Sequence, residues 1–517
     1  MIAPGGTLKR PRFLISRFSG GLLLLACALP GSAGPAFTSS EIHGPAAEVL
    51  FCDLDGDGLK DAVQVAGTNL TVLFQDSGQG FGKVPGAVRQ CALDSGPSLV
   101  WPARVANDRE SLLVLNSEGI TAISFTNRTG APTRHQLVAQ KTTLPRSVQS
   151  SQVVSFPFVA SATNGPPLLL APAQDGLQVW SRRDGQSAAG ATAAWRRVQS
   201  IEDGVQHHVT PLVTNPGYSR SSSLDLCVSD INGDGRDDLI VLRHDAAGRE
   251  HFLAYLQTPD GSFTRESVLS YTNKPDWHNA LSWVDINHDG KADLIQSSFL
   301  DEAFFVPGMR SGKVLVGIYL ADDSGRIPST PQQVFRKYDW STALPMVDVD
   351  GDGYMDMALG YIPINAREGF RKAVTAEQVD LTLKFHFYRP NTGYPTEPDC
   401  QRDVLLQFHN EFFFTQERRL YYEQLLSLNG DFNGDGKKDL LVRDEKKAIS
   451  VYFFVSREKG FNREADLKFN CPEMIDRWEI KDLNGDGVSD LVVKLQEGDG
   501  YRVFVSQGSN HGPADGR

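Results

Sequence analysis

The sequence predicts an all-β fold, a β-propeller of seven or eight blades. Three observations carry that expectation: an acidic nine-residue segment written six times, an aromatic-rich stretch ending in a Gly turn after each copy, and apolar runs of strand length on both sides of every copy. The 517 residues are 40% hydrophobic and 22% charged, a globular composition rather than a disordered, collagenous or coiled-coil one. A chain this long outgrows a single ordinary core, so stacked repeats are the natural architecture. The formal charge of −12 disfavours a polyanionic partner, and nucleic acid is excluded as a ligand.

The chain opens with Lys9, Arg10, Arg12 and Arg17 and no acid, then an apolar run from Leu22 to Leu29 and Pro30, which reads as a secretory signal peptide over residues 1–33, cleaved after Ala33. The run is too short to cross a bilayer, so no transmembrane span is expected. Leu24, Leu25, Ala26 and Cys27 also resemble a lipobox, which leaves a lipid anchor at Cys27 as the alternative. Either way the product is secreted or periplasmic. Taking the four leader cations from −12 leaves −16 on residues 34–517. Five cysteines remain; proximity in sequence pairs Cys52 with Cys91 and Cys400 with Cys471, and burial as small apolar residues is the alternative. Asn69 and Asn127 lie in sequons.

The repeated segment reads Asp, any, Asp or Asn, any, Asp, Gly, any, any, Asp. Position 1 is Asp53, Asp230, Asp285, Asp348, Asp431 or Asp482; position 3 is Asp55, Asn232, Asn287, Asp350, Asn433 or Asn484. Position 5 is Asp57, Asp234, Asp289, Asp352, Asp435 or Asp486, and position 9 is Asp61, Asp238, Asp293, Asp356, Asp439 or Asp490. Between two strands this is the loop of a β-hairpin. Oxygens at positions 1, 3 and 5 converge inside a tight turn, Gly at position 6 supplies a positive φ, and the position 7 carbonyl and the position 9 carboxylate complete an all-oxygen shell. That is calcium chemistry, with up to six Ca²⁺. An EF-hand is excluded, because position 12 is Gln64, Val241, Gln296, Leu359, Val442 or Val493 rather than Glu and the flanks are β-like. Positions 1, 3, 5 and 9 of the six loops hold twenty candidate ligand carboxylates, whose mutual repulsion is costly without a cation, and six Ca²⁺ bring −16 to about −4.

The aromatic stretches end at Gly80, Gly261, Gly325, Gly393, Gly460 and Gly508, and two further units, ending at Gly130 and Gly185, keep this half while their acidic loop is degraded. Eight units over residues 35–517 average about 60 residues each, room for four short antiparallel strands. Such units bury their sheet faces only against neighbours, and radial stacking gives a propeller. The last unit lacks its final strand, and Phe37 to Ile42 resembles it, so the N-terminal segment is expected to pair into the final blade and close the ring.

The acidic loops and the turns Gly80-Phe81-Gly82 and Gly460-Phe461 resemble the FG-GAP/VCBS repeats of integrin α-subunit propellers and of secreted bacterial proteins, over nearly all of residues 34–517. The resemblance implies one propeller domain with Ca²⁺ in the loops and ligands bound elsewhere on the ring. Insertions around 361–379 and 395–422, the latter with HNEFFFTQERRLYY from His409 to Tyr422, are candidate contact sites. Trp277, Trp340 and Trp478 are candidates for stacking on a sugar or for packing between blades; His207 and His208 read as a surface loop. HExxH, GxSxG and Walker motifs are absent. The expected function is a non-catalytic binding or adhesion module for a glycan or protein. The alternatives are a Ca²⁺-dependent, lyase-like enzyme acting on polysaccharides and a structural scaffold of an envelope complex.

Overall fold

In the computed structural model Pro35–Arg517 form one compact unit. The described residues are 36–507 without 145–150, 154–158, 161–166, 183–194, 202–225, 245–249, 273–277, 363–377, 408–425 and gaps of one to four residues elsewhere. The predicted leader, Cys27, His207, His208, Trp277, most of the first insertion and the stretch His409 to Tyr422 lie outside them.

The fold is all-β. Among the described residues there is no helix, and eight antiparallel sheets of at least four strands follow one another along the chain. Sheet 1 is Val49–Cys52, Asp61–Ala66, Asn69–Leu73 and Val88–Ala92. Sheet 2 is Leu99–Ala103, Ser111–Asn116, Gly119–Ser124 and Thr133–Ala139, with Gln152–Val153 added in parallel. Sheet 3 runs from Val159–Ala160 to Trp195–Ile201, sheet 4 from Leu226–Ser229 to Leu269–Thr272, and sheet 5 from His278–Val284 to Gln333–Lys337. Sheet 6 runs from Trp340–Ala343 to Cys400–Gln407 and sheet 7 from Leu426–Gly430 to Leu467–Asn470. In sheet 8, Ile475–Lys481, Asp490–Leu495 and Gly500–Ser506 are joined by Phe37–His43 from the other end of the chain, in register from Phe37 against Ser506 to His43 against Gly500. The segment anticipated from Phe37 to Ile42 thus takes the outer place in the last sheet.

The second strands are buried along nearly their whole length and carry apolar runs after the opening Asp, as in DAVQVA, DLLVR and DLVVKL, because they are covered on both faces. Seven apolar clusters fill the spaces between sheets. Sheets 1 and 2 share one, sheets 2, 3 and 4 a second, and sheets 4 and 5, 5 and 6, 6 and 7, and 7 and 8 one each. The seventh joins sheet 8 to sheet 1 through Ile42, Phe51, Phe81, Val492 and Val503. Trp478 belongs to the cluster of sheets 7 and 8 and is 8% exposed, so its role is packing.

The suggested disulfides do not form: Cys52, Cys91, Cys400 and Cys471 take part in no disulfide bond. Cys52 and Cys91 lie on the first and fourth strands of sheet 1, some three strand spacings or roughly 14 Å apart, and a disulfide requires Cα atoms within about 7 Å. Cys400 opens the outer strand of sheet 6 and Cys471 follows the outer strand of sheet 7, Leu467–Asn470. Burial as small apolar side chains describes Cys52 and Cys471, both fully covered.

Candidate metal sites

Every acidic segment connects the first and second strands of its sheet, in sheets 1, 4, 5, 6, 7 and 8. All twenty-four residues singled out in the sequence fall in these six turns, and one set of hydrogen bonds recurs in each. The position 1 carboxylate accepts the N–H of the position 6 glycine, at 3.1 Å for Gly58 on Asp53 and 2.8–3.0 Å for Gly235, Gly290, Gly353, Gly436 and Gly487 on their own position 1 oxygens. The N–H of position 7 donates to the inner oxygen of position 5 at 2.8–3.0 Å in all six. The N–H of position 5 in turn reaches the position 3 oxygen, for example Asp435 on Asn433 at 3.0 Å.

Position 9 has a second duty. Each of these six aspartates is at most 1% exposed and accepts two backbone N–H bonds, one from position 2 of its own loop and one from the residue that leaves the third strand. Asp356 takes Val349 at 2.9 Å and Tyr388 at 3.0 Å; Asp61 takes Leu54 and Gln75, both at 3.0 Å. Each oxygen keeps a second lone pair for a cation. Burial raises these carboxyls from the ordinary 3.8, against the lowering effect of the two N–H donors: to about 7 in Asp61, Asp238, Asp439 and Asp490, about 6 in Asp293 and about 8 in Asp356.

Two positions read as free in the sequence are constrained. Position 2 is always apolar: Leu54, Ile231, Ile286, Val349, Phe432 and Leu483 are all at most 2% exposed and anchor the turn in the inter-sheet clusters. Position 4 is left-handed in the five loops where it is described, with φ of 73–80° at Gly56, Gly351, Gly434 and Gly485 and 55° at His288. A Cβ on Gly351 would also lie 2.8 Å from the carbonyl oxygen of Gly436 in the next loop. Gly351→Ala is therefore expected to cost at least the ~1–2 kcal/mol of a left-handed alanine and to lower Tm; a variant melting with the wild type would contradict this geometry.

The loops are also linked to one another. Position 8 donates its N–H to the position 2 carbonyl of the loop before it: Ala292 to Ile231 at 3.0 Å, Met355 to Ile286 at 3.0 Å and Lys438 to Val349 at 2.8 Å. Ser489 reaches Asp431 at 2.7 Å, one residue off the pattern, and Lys60 of sheet 1 reaches Leu483 of sheet 8 at 2.7 Å.

In the loops beginning at Asp53 and Asp348, ligand oxygens of Asp53, Asp55 and Asp61, and of Asp348, Asp350 and Asp356, lie within 4.8 Å of one another. Carboxylates converging at this spacing in an all-oxygen donor set fit a hard divalent cation such as Ca²⁺. The other four loops carry the same bonds with Asn at position 3. There the outer oxygen of position 5 faces a neutral or cationic donor: Asn232 on Asp234 at 3.1 Å, Asn287 and Lys291 on Asp289 at 3.2 and 3.1 Å, Lys437 beside Asp435 at 3.8 Å, and Asn484 and Ser506 on Asp486 at 3.0 and 2.6 Å.

Comparison with known proteins follows the same lines. The chain carries FG-GAP-like repeats, matched at residues 230–295 and 431–493, and each match starts at position 1 of one acidic loop and runs through the next. No curated protein matches the chain. Among solved structures it is similar to an Agrocybe aegerita lectin, described for specific recognition of non-reducing terminal N-acetylglucosamine, at 12% identity and a TM-score of 0.38 over 71% of this chain and 80% of that one. Among the described residues no helix is long and apolar enough to cross a membrane.

Proposed function

We propose that the chain is a secreted or periplasmic, calcium-holding β-propeller of eight blades that acts as a non-catalytic binding or adhesion module for a glycan or protein ligand. The observation that carries the ring is the contact between its ends. The cluster of Ile42, Phe51 and Val492 and the Lys60 to Leu483 hydrogen bond tie sheet 8 to sheet 1 just as the other clusters and loop bonds tie consecutive sheets. With the N-terminal strand as the outer strand of blade eight, the two ends of the repeat array meet in one sheet. The donor sets of the six loops support up to six Ca²⁺, each neutralising carboxylates that the tight turn forces together. Within the predicted insertions, Cys400–Gln407 is instead the outer strand of sheet 6, and a ring with loops braced in this way suits ligand contact through the long connections between Ile362 and Gln378 and between Gln407 and Leu426.

A glycan array combined with a polysaccharide degradation screen, each with Ca²⁺ and with EGTA, tests the reading. Retention of sugars without turnover, lost in EGTA, is expected. Turnover of any polysaccharide would make the chain a calcium-dependent enzyme instead, and protein partners captured with no sugar retained would make it a scaffold.

A further inference from the structure

Two of the six loops, those beginning at Asp53 and Asp348, have Asp at position 3 and so place four carboxylates at positions 1, 3, 5 and 9 where the others place three. Into each of these two reaches an arginine from the next sheet. Arg128 pairs with the outer oxygens of Asp55, at 2.5 Å, and of Asp57, and also with Asp76. Arg457 pairs with the outer oxygens of Asp350 and Asp352. Both come from the same place in their sheets, the connection between third and fourth strands, in sheets 2 and 7. Both also lie over a phenylalanine that leaves the third strand of the sheet they visit, Phe74 at 5.9 Å and Phe387 at 5.5 Å. In the loops with Asn at position 3 the position 5 carboxylate is met from within its own sheet: by Asn232 and Arg236, by Asn287 and Lys291, by Lys437, and by Asn484 and Ser506. Position 7 is uncharged where the arginine arrives: Leu59 and Tyr354.

We propose that Arg128 and Arg457 are built-in counter-ions for the fourth carboxylate, holding the two four-carboxylate loops together, and against the neighbouring sheet, when no divalent ion is bound. The inference rests on the calcium reading above and adds that these two junctions depend least on calcium. Removing the guanidinium exposes unbalanced carboxylate repulsion, which calcium relieves, so the loss is concentrated in the calcium-free protein.

The test compares melting of the full chain with and without Ca²⁺, using chloride salts and EGTA, in the wild type, R128Q, D55N and D55N/R128Q. The calcium-induced rise in Tm is expected to be larger than wild type in R128Q, with the affinity of one site up about tenfold or more, and smaller than wild type in D55N, where the ligand set loses a carboxylate and the guanidinium stays. In D55N/R128Q, which copies the three-carboxylate loops, it returns to the wild-type value. An R128Q protein that loses the same number of degrees with and without calcium would overturn the counter-ion role, since that is what a merely structural arginine does. If R128Q does not fold, D55N against D55N/R128Q decides: a larger calcium rise in the double variant supports the proposal and an equal or smaller one overturns it. No calcium rise in the wild type would overturn the calcium reading itself, a result distinct from a wild-type rise that R128Q leaves unchanged.

Discussion

Asp356→Ala is expected to destabilise the protein by about 2 to 6 kcal/mol, and to do so in EGTA as well as in calcium. The side chain is 1% exposed and its two oxygens accept the N–H groups of Val349 in the loop and of Tyr388 just after the third strand. Alanine leaves both donors buried with no acceptor, and an unsatisfied buried N–H costs about 1 to 3 kcal/mol. Asp356→Asn keeps one acceptor and turns an amide toward the other N–H, so an intermediate loss is expected. Glu397→Gln, at an exposed position, should melt within about 0.5 kcal/mol of the wild type. Urea unfolding of the three variants in EGTA checks this; an alanine variant as stable as the wild type there would mean that position 9 matters through a metal alone.

Chelation is expected to have the larger effect on the whole molecule. An extracellular-type site of about 10⁻⁴ M affinity contributes about 2.7 kcal/mol at a hundredfold excess of Ca²⁺, and several such sites add. The effect carries a pH signature. In the calcium-free chain the position 9 carboxyls titrate at about 6 to 8 when folded, against an ordinary 3.8. The folded state then holds more protons than the unfolded state between those values, so calcium-free stability is fully present below about pH 4 and falls as pH rises through 6 to 8. Calcium stabilises the ionised form, so the gain in Tm should widen from pH 5 to pH 8.5. Differential scanning calorimetry at the two pH values measures it, and a gain that shrinks with rising pH would contradict the linkage.

Much of this was legible in the sequence because the repeat states it six times. The invariance of Asp at position 9, against the mixture of Asp55 and Asn232 at position 3, reflects its two backbone donors: an amide supplies one acceptor oxygen where Leu54 and Gln75 require two. At position 3 only one oxygen accepts a backbone N–H, and the other atom faces a carboxylate or an arginine, so Asn serves as well. The apolar residue at position 2 was equally visible but reads as free until the inter-sheet clusters are seen. The arginines were not legible, since Arg128 lies 73 residues from Asp55 and Arg457 lies 107 from Asp350, and only the stacking of neighbouring sheets brings them together. Proximity in sequence misled the cysteine pairing for the converse reason: residues close in the chain are held apart by intervening strands.

The most direct measurement is a count of calcium. After exchange into calcium-free buffer and equilibrium dialysis against millimolar Ca²⁺, elemental analysis of the full chain should find several ions per molecule, approaching six, and one fewer in Asp482→Asn, whose position 1 carboxylate receives both Gly485 and Gly487. A chain that takes up none, and whose melting is indifferent to EGTA, would contradict the account.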